Sequence, residues 1–313
     1  MGQFIGKRVL RGLLTIFVTM VVVFLLIRMA PGDPASILAG SMDTDEAFVE
    51  SLREEWGLDE PILKQFTVYV KNLVTGNLGY SYQYLTHGKP NQPVISLILQ
   101  RLPRTFILAG SVILFSILIA IPLGTICAMK PGSWFDNLTF SVQMVITSVP
   151  NFYIGMILIA LLAVKWRLLP TGGYGDFNSF IMPMLCLSFR YIVTFTRTTR
   201  TELGQILSSD YLRTAKAKGL SRTVVLFKHG LRNVLIPIVT MIGTRLGGLL
   251  TGAVYVETLF RYYGVGELLI SAISARDYPT IQAVIPYIAA VFVVVNLVVD
   301  MSYFALDPRI RKK

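Results

Sequence analysis

The stretch SDYLRTAKAKGLSRTVVLFKHGLRNVLIP, Ser209 to Pro237, is polar and basic, yet it lies between two long apolar segments. Tyr211 to Lys218 is built from helix formers, with Ser209 or Asp210 placed to cap the first amides and Gly219 placed for a left-handed stop. Roughly eight residues make too short a helix to stand alone in water, because nucleation is costly and little length remains to repay it. It is therefore expected to be ordered by docking. Arg213, Lys216 and Lys218 give it a basic side, while Leu212 and Ala215, three apart, share an apolar edge. Beyond Gly219, Ser221 is placed to cap a second helix that carries Lys228 and Arg232 to Asn233 and then runs into apolar sequence. On composition alone the stretch reads equally as a solvated basic loop resting on anionic lipid.

The flanking segments set the class. The chain has 313 residues, 53% hydrophobic content, mean hydropathy +0.61 and only 15% charged residues, which describes a membrane protein and not a water-soluble enzyme. The net charge of +11 then reads as topology, since its basic residues cluster beside apolar spans, and nucleic acid is not an expected partner. Upstream, a span over about Phe180 to Thr199 carries Arg190 near its middle and Arg197 near its inner end, two turns apart on one face, with Arg200 close to that face. Downstream, a span over about Ile236 to Val256 carries Arg245 near its centre. An arginine in lipid costs about 3 kcal/mol on insertion scales. These faces are expected to meet water, an anion or a carboxylate. Either Arg190 and Arg245 line a translocation path and attract a carboxylate such as a peptide C-terminus, or each pairs with an acid elsewhere, including one in a partner subunit.

Further out, Thr105–Met129 and Asn137–Val164 are uncharged and each long enough for about 30 Å of hydrocarbon. The short Lys130-Pro-Gly turn joins them on the inner side, and Pro122 and Pro150 are expected to kink them. Leu168–Asp176 (LLPTGGYGD) turns the chain outside. Near the start, Lys7, Arg8 and Arg11 precede an uncharged run from Gly12 to Ile27, read as a first transmembrane helix in preference to a signal peptide because no small-residue cleavage site is clear. Between Pro31 and Gln100 stand nine acidic residues against four basic ones, a bias suited to the outer face. Within it, helices are expected from Thr44 to Trp56 and from Ile62 to Leu73. Arg101 and Arg104 are basic exceptions at an outer end, assigned to an interfacial helix beginning near Val94. Tyr263–Gly266 with Arg276–Pro279 reads as an outer turn, and Tyr278–Val299 as the last span before the basic ending LDPRIRKK.

Six helices result, with both ends on the cytoplasmic side. Arg190 to Arg232 contains nine Lys or Arg against Glu202 and Asp210 alone, which places it inside. Cys127 and Cys186 sit in apolar segments without metal-ligand spacing and read as packing residues. There is no GxxxxGK[ST] phosphate loop, no HExxH and no GxSxG, so neither ATP hydrolysis nor intramembrane catalysis is expected of this polypeptide, and no metal site is expected. An ion-driven secondary transporter is the reading from another class, but such proteins often carry Asp, Glu or His within the bilayer, where this chain has arginine.

The central stretch resembles the "EAA" loop of the membrane subunits of bacterial ABC importers, in the variant carried by oligopeptide and dipeptide permeases. Arg213, Thr214 and Ala215 fall where the general motif has Glu-Ala-Ala, Gly219 falls on its glycine and Leu231 on a later leucine; Arg213 replaces the acid, as in the peptide-permease variant. WGLDEP, GNLGYS, LLPTGGYGD, the phrases around Glu257–Phe260 and Arg276–Pro279, and the ending after Leu306 are similar to that family's wording. The resemblance implies an all-α polytopic membrane protein of six transmembrane helices, with residues 1–30 as cytoplasmic start and first helix. Residues 31–98 form a small extracytoplasmic helical subdomain that meets the binding protein or caps the outer mouth. Residues 99–313 form a five-helix permease core with a coupling loop at 201–235. It implies a coupling helix made by Asp210, Tyr211, Arg213, Thr214, Ala215, Lys216, Ala217, Lys218 and Gly219. The implied partners are a second homologous permease in a heterodimer, two ATPase subunits that bind ATP and Mg, an extracytoplasmic solute-binding protein and membrane lipid, in a bacterial or archaeal cytoplasmic membrane. The implied cargo is peptide, with glutathione and nickel chelates as the family's alternatives.

Overall fold

The computed structural model describes residues 2–29, 50, 53, 59–85, 92–173, 175–219 and 221–306. The helix expected over Thr44–Trp56 lies outside the described residues except for Glu50 and Arg53, both helical, and the phrase at Pro31–Pro34 and the ending after Leu306 lie outside them altogether. In chain order the helices are α1 (Gly2–Met29), α2 (Ile62–Thr75), α3 (Tyr82–Leu85), α4 (Val94–Met129), α5 (Trp134–Ser148), α6 (Asn151–Leu158), α7 (Phe177–Leu207), α8 (Asp210–Ala217), α9 (Arg222–Val224), α10 (Arg232–Leu259), α11 (Val265–Ser274) and α12 (Tyr278–Leu306). Wider π-helical turns occupy Ile159–Lys165 and Val225–Leu231.

Five of these segments are long and apolar enough to cross a membrane, and a sixth crossing results if the bent pair Trp134–Ser148 and Asn151–Lys165 counts as one span. Large apolar side chains such as Leu26, Leu118 and Val145 lie exposed on them, while Ser116, Thr196, Thr199 and Glu257 are buried. That inversion is what lipid as solvent demands: apolar outside, polar groups turned within. The chain is an all-α polytopic membrane protein.

Two compact units divide the chain. The first holds Met1–Arg104 and Gly264–Leu297. Val94, Leu97 and Ile98 on α4 pack there with Val265 and Leu268 on α11 and Ala283 and Val284 on α12. Phe24 of α1 meets Phe66 and Tyr69 of α2 at 5.3 and 5.7 Å between ring centroids, and the Tyr69 hydroxyl donates to the Gln282 carbonyl at 3.0 Å. Burial pushes that phenol well above its ordinary range, so it remains a donor throughout the physiological pH scale.

The second unit holds Thr105–Tyr263 and Val298–Lys313 and is built around α7, whose Met182, Cys186, Phe195 and Leu203 are fully buried. Leu203 packs with Ala128 of α4, Leu226, and Val234 and Ile238 of α10. Thr105 donates to the buried Glu257 carboxylate at 2.7 Å. In the outer turn Leu168–Asp176, a Cβ on Gly172 would stand 2.1 Å from the Phe260 carbonyl, and the Gly173 amide bonds that same oxygen at 2.9 Å. Only glycine lets the turn close there.

Three sequence expectations change. The span expected over Asn137–Val164 is not one kinked helix but two, turned by 101° at Val149 and Pro150. Proline removes the amide that would continue the ladder, and Val149 before it takes the extended conformation that a following proline favours. The interfacial helix near Val94 does not stand apart, because α4 runs unbroken from Val94 through Pro122 to Met129. The outer turn between Tyr263 and Pro279 contains the ten-residue helix α11, whose Val265, Leu268 and Ala272 bury a stripe too short to register as a span.

Candidate functional site

The segment after α7 is a short helix with Leu212 as its buried anchor among the described side chains. The chain leaves α7 through Ser208 and Ser209, where the Ser209 hydroxyl donates back to the Ile206 carbonyl at 2.5 Å. α8 begins at Asp210 and ends at Ala217, one residue earlier at each end than the sequence suggested, with an acid in the first turn where the helix dipole favours it. The Lys218 amide bonds the Thr214 carbonyl at 3.0 Å, and Gly219 then takes φ of 79°, the left-handed stop expected of it. Ser221 caps α9 weakly by accepting from the Val224 amide at 3.4 Å. Leu212 is fully buried against Val225, Ile206 and Leu207, whereas Asp210, Thr214, Ala217, Lys218 and Gly219 are exposed. The backbones of Tyr211, Arg213, Ala215 and Lys216 belong to α8, while their side chains lie outside what is described. Beside this segment a cavity of about 620 Å³ is walled by Ala128, Met129, Arg200, Gln205, Leu207 and Val225.

One ion pair stands over that cavity. Arg200 grips Asp136 through both carboxylate oxygens, Nε to Oδ1 at 2.6 Å and Nη2 to Oδ2 at 2.7 Å. Asp136 is almost wholly buried and also accepts from the Gly132 amide at 2.9 Å, while its own amide is capped by Ser133. The turn between α4 and α5 is thereby fastened to the inner half of α7. Sequence reading passed over Asp136, although Ser133 followed by an acid three residues on is a helix-start signature that could have marked it.

Arg190 and Arg245, the two mid-span arginines, are both exposed, on α7 and α10 respectively. The two helices pack against each other in the second unit, the Thr198 hydroxyl of α7 donating to Met241 Sδ of α10 at 3.5 Å. Arg197 behaves differently, donating to Gln143 at 3.1 Å and lying over the Phe140 ring.

In the first unit, the residues read as an outer turn hold a buried acid that the sequence did not single out. Asp277 is fully buried and accepts from the Ser81 hydroxyl at 2.5 Å, the Thr280 hydroxyl at 2.8 Å and the Gln83 amide at 3.4 Å. Nearby, Arg101 pairs with Glu267, which accounts for a basic residue at that end of α4.

Residues 120–312 match the family described as "Binding-protein-dependent transport system inner membrane component", and residues 1–109 match "Binding-prot-dependent transport system membrane comp, N-term". Among similar proteins, the Glutathione transport system permease protein GsiC of Escherichia coli O6:H1 (strain CFT073) is 39% identical over 313 residues, covering 100% of both chains. Its namesakes from Escherichia coli (strain K12) and Shigella flexneri serotype 5b (strain 8401) are each 38% identical over the same full length. With both families matched in order along an apolar helical chain, this protein belongs to the binding-protein-dependent transport system inner membrane components, the permeases of ABC importers.

Proposed function

We propose that this chain is one of two related permease subunits of an importer of short peptides, driven by two separate ATPase subunits that bind ATP and Mg and fed by an extracytoplasmic solute-binding protein. Asp210–Gly219 is its coupling helix, facing the cytoplasm with both chain ends. When ATP closes the two ATPases, α8 follows them, and α7 and α10, to which it is joined, carry the movement into the membrane; hydrolysis reverses it. The outer segment within 31–98 is the surface offered to the binding protein. Because the relatives named above are glutathione permeases, glutathione is the first peptide to try.

The observation that supports the coupling reading is the burial of Leu212 beneath a helix whose Asp210, Thr214, Ala217 and Lys218 remain exposed. A helix of this length with a buried apolar anchor and an open polar side is suited to receive a second surface. The test uses proteoliposomes containing both permeases and both ATPases, with binding protein on the outer face. Peptide uptake is expected to need ATP, to stop with vanadate, and to be accompanied by crosslinking of an Ala217→Cys variant to an ATPase subunit. Uptake that follows an ion gradient without ATP would favour a secondary transporter instead.

A further inference from the structure

Two cations stand midway along apolar helices, and the described residues offer them no counter-charge. Arg190 of α7 and Arg245 of α10 are exposed, and among the described residues neither guanidinium has an ion-pair or hydrogen-bond partner. The other arginines of α7 are treated otherwise, Arg197 by Gln143 and Phe140 and Arg200 by the carboxylate of Asp136. The described residues thus engage the guanidiniums near the inner end of α7 and leave the two deeper in the spans open. Arg245 also forms one side of a recess of about 430 Å³ with Pro237, Thr240, Met241 and Thr244. Thr244 spends its proton on the Met241 carbonyl, which leaves its oxygen as an acceptor for a passing amide. The half-buried Tyr191 follows Arg190 on α7, and α7 meets α10 where the Thr198 hydroxyl donates to Sδ of Met241, a residue that also walls the recess.

A guanidinium fork matches a carboxylate through two parallel hydrogen bonds, and the attraction strengthens where water is scarce. Lipid phosphates lie at the interface, not at mid-span depth, so an anion that reaches these arginines arrives along the transport path. We propose that Arg190 and Arg245, with Tyr191 and the Thr240 to Thr244 face of α10, form a relay site that holds the free carboxylate of the peptide partway across the membrane. This rests on the importer reading above and deepens it by naming the group the path selects.

The experiment compares tri-alanine as free acid and as C-terminal amide, with glutathione, which keeps a second carboxylate on its γ-glutamyl residue, as a reference peptide, in proteoliposomes of the complete transporter at peptide levels that saturate the binding protein. For the wild-type complex, uptake of the free acid is expected to exceed that of the amide. Arg190→Gln and Arg245→Gln are each expected to lower free-acid uptake about tenfold while amide uptake changes less than about twofold, the loss of one charge-assisted contact. Arg→Lys at either position is expected to restore part of the preference. ATPase activity stimulated by loaded binding protein is expected to persist in all variants. Equal loss of acid and amide, equal wild-type rates for the two, or dissociation of the Gln variants from the partner permease would overturn the relay site, the last by assigning the arginines to an acid across the subunit interface. Absence of ATP-dependent uptake of any of these peptides by the wild-type complex would sink the importer reading itself.

Discussion

Asp136 and Arg200 are unequal partners, and the inequality is measurable. Asp136 is almost fully buried, while Arg200 keeps 45% of its side chain exposed. Removing the arginine strands a carboxylate that water cannot reach, whereas removing the charge of the aspartate frees an arginine that can turn to solvent. Arg200→Ala is therefore expected to destabilise the complex by about 2 to 3 kcal/mol and Asp136→Asn by about 1 kcal/mol. Thermal unfolding of the purified complex in detergent checks the order, and equal losses would show that the pair is held in water and not in protein. Asp277 makes the complementary case, since every group facing it donates: the hydroxyls of Ser81 and Thr280 and the amides of Gln83 and Thr280. Asp277→Asn turns an NH2 toward donors and is expected to cost about 2 kcal/mol, against about 1 for Ser81→Ala. The readout is hydrogen exchange over residues 80–85, which rises more in the first variant than in the second.

α8 shows how an element can be specified by its ends and by a buried anchor such as Leu212. Its start, its basic composition and its glycine stop were legible in the sequence, because capping and left-handed termination are local. Leu212 was visible as apolar, but that it meets Val225 after the chain has reversed is a tertiary fact that periodicity does not carry. Leu212→Ala removes most of a fully buried side chain and is expected to weaken docking of α8 by about 2 to 4 kcal/mol. Since the spans do not depend on that contact, the protein is expected to insert and assemble while transport falls and ATP hydrolysis continues without it, measured side by side in proteoliposomes. Gly219→Ala is milder. A Cβ there meets nothing within 4 Å, so its cost is the left-handed backbone alone, about 1 to 2 kcal/mol. Retained coupling in Leu212→Ala with loss in Gly219→Ala would reverse the assignment of the anchor.

At the scale of the whole chain, hydropathy located the spans because lipid imposes length and apolarity on each: Ile236–Val256 was expected and α10 covers it, and Phe180–Thr199 lies within α7. It was blind to angle, since Pro150 marked a kink but neither it nor the flanking Ser148 and Asn151 sets a turn as large as 101°. It was blind also to partners, as with Asp136 and Arg200, which lie 64 positions apart. The turn matters for topology through parity. Five crossings leave the chain ends on opposite faces, whereas six return them to one face, and whether the bent pair crosses decides between these. Lys7, Arg8 and Arg11 at one end and Arg309, Arg311, Lys312 and Lys313 at the other are all basic, and positive charge beside a span holds it inside. The topology proposed above, with both ends inside, requires an even number and so has the bent pair traverse the bilayer as a unit. On that proposal the segment Asp210–Gly219 faces the cytoplasm, where ATP is available to partner subunits. Single cysteines at Gln3 and Lys312 are thus expected to resist a membrane-impermeant maleimide in intact cells and to react after permeabilisation, while one at Thr171, beyond the bent pair, reacts at once. The native thiols Cys127 and Cys186 are buried and contribute little background. A Lys312 cysteine labelled in intact cells, beside a protected one at Gln3, would make the pair re-entrant and place α8 on the wrong side of the membrane to meet an ATPase.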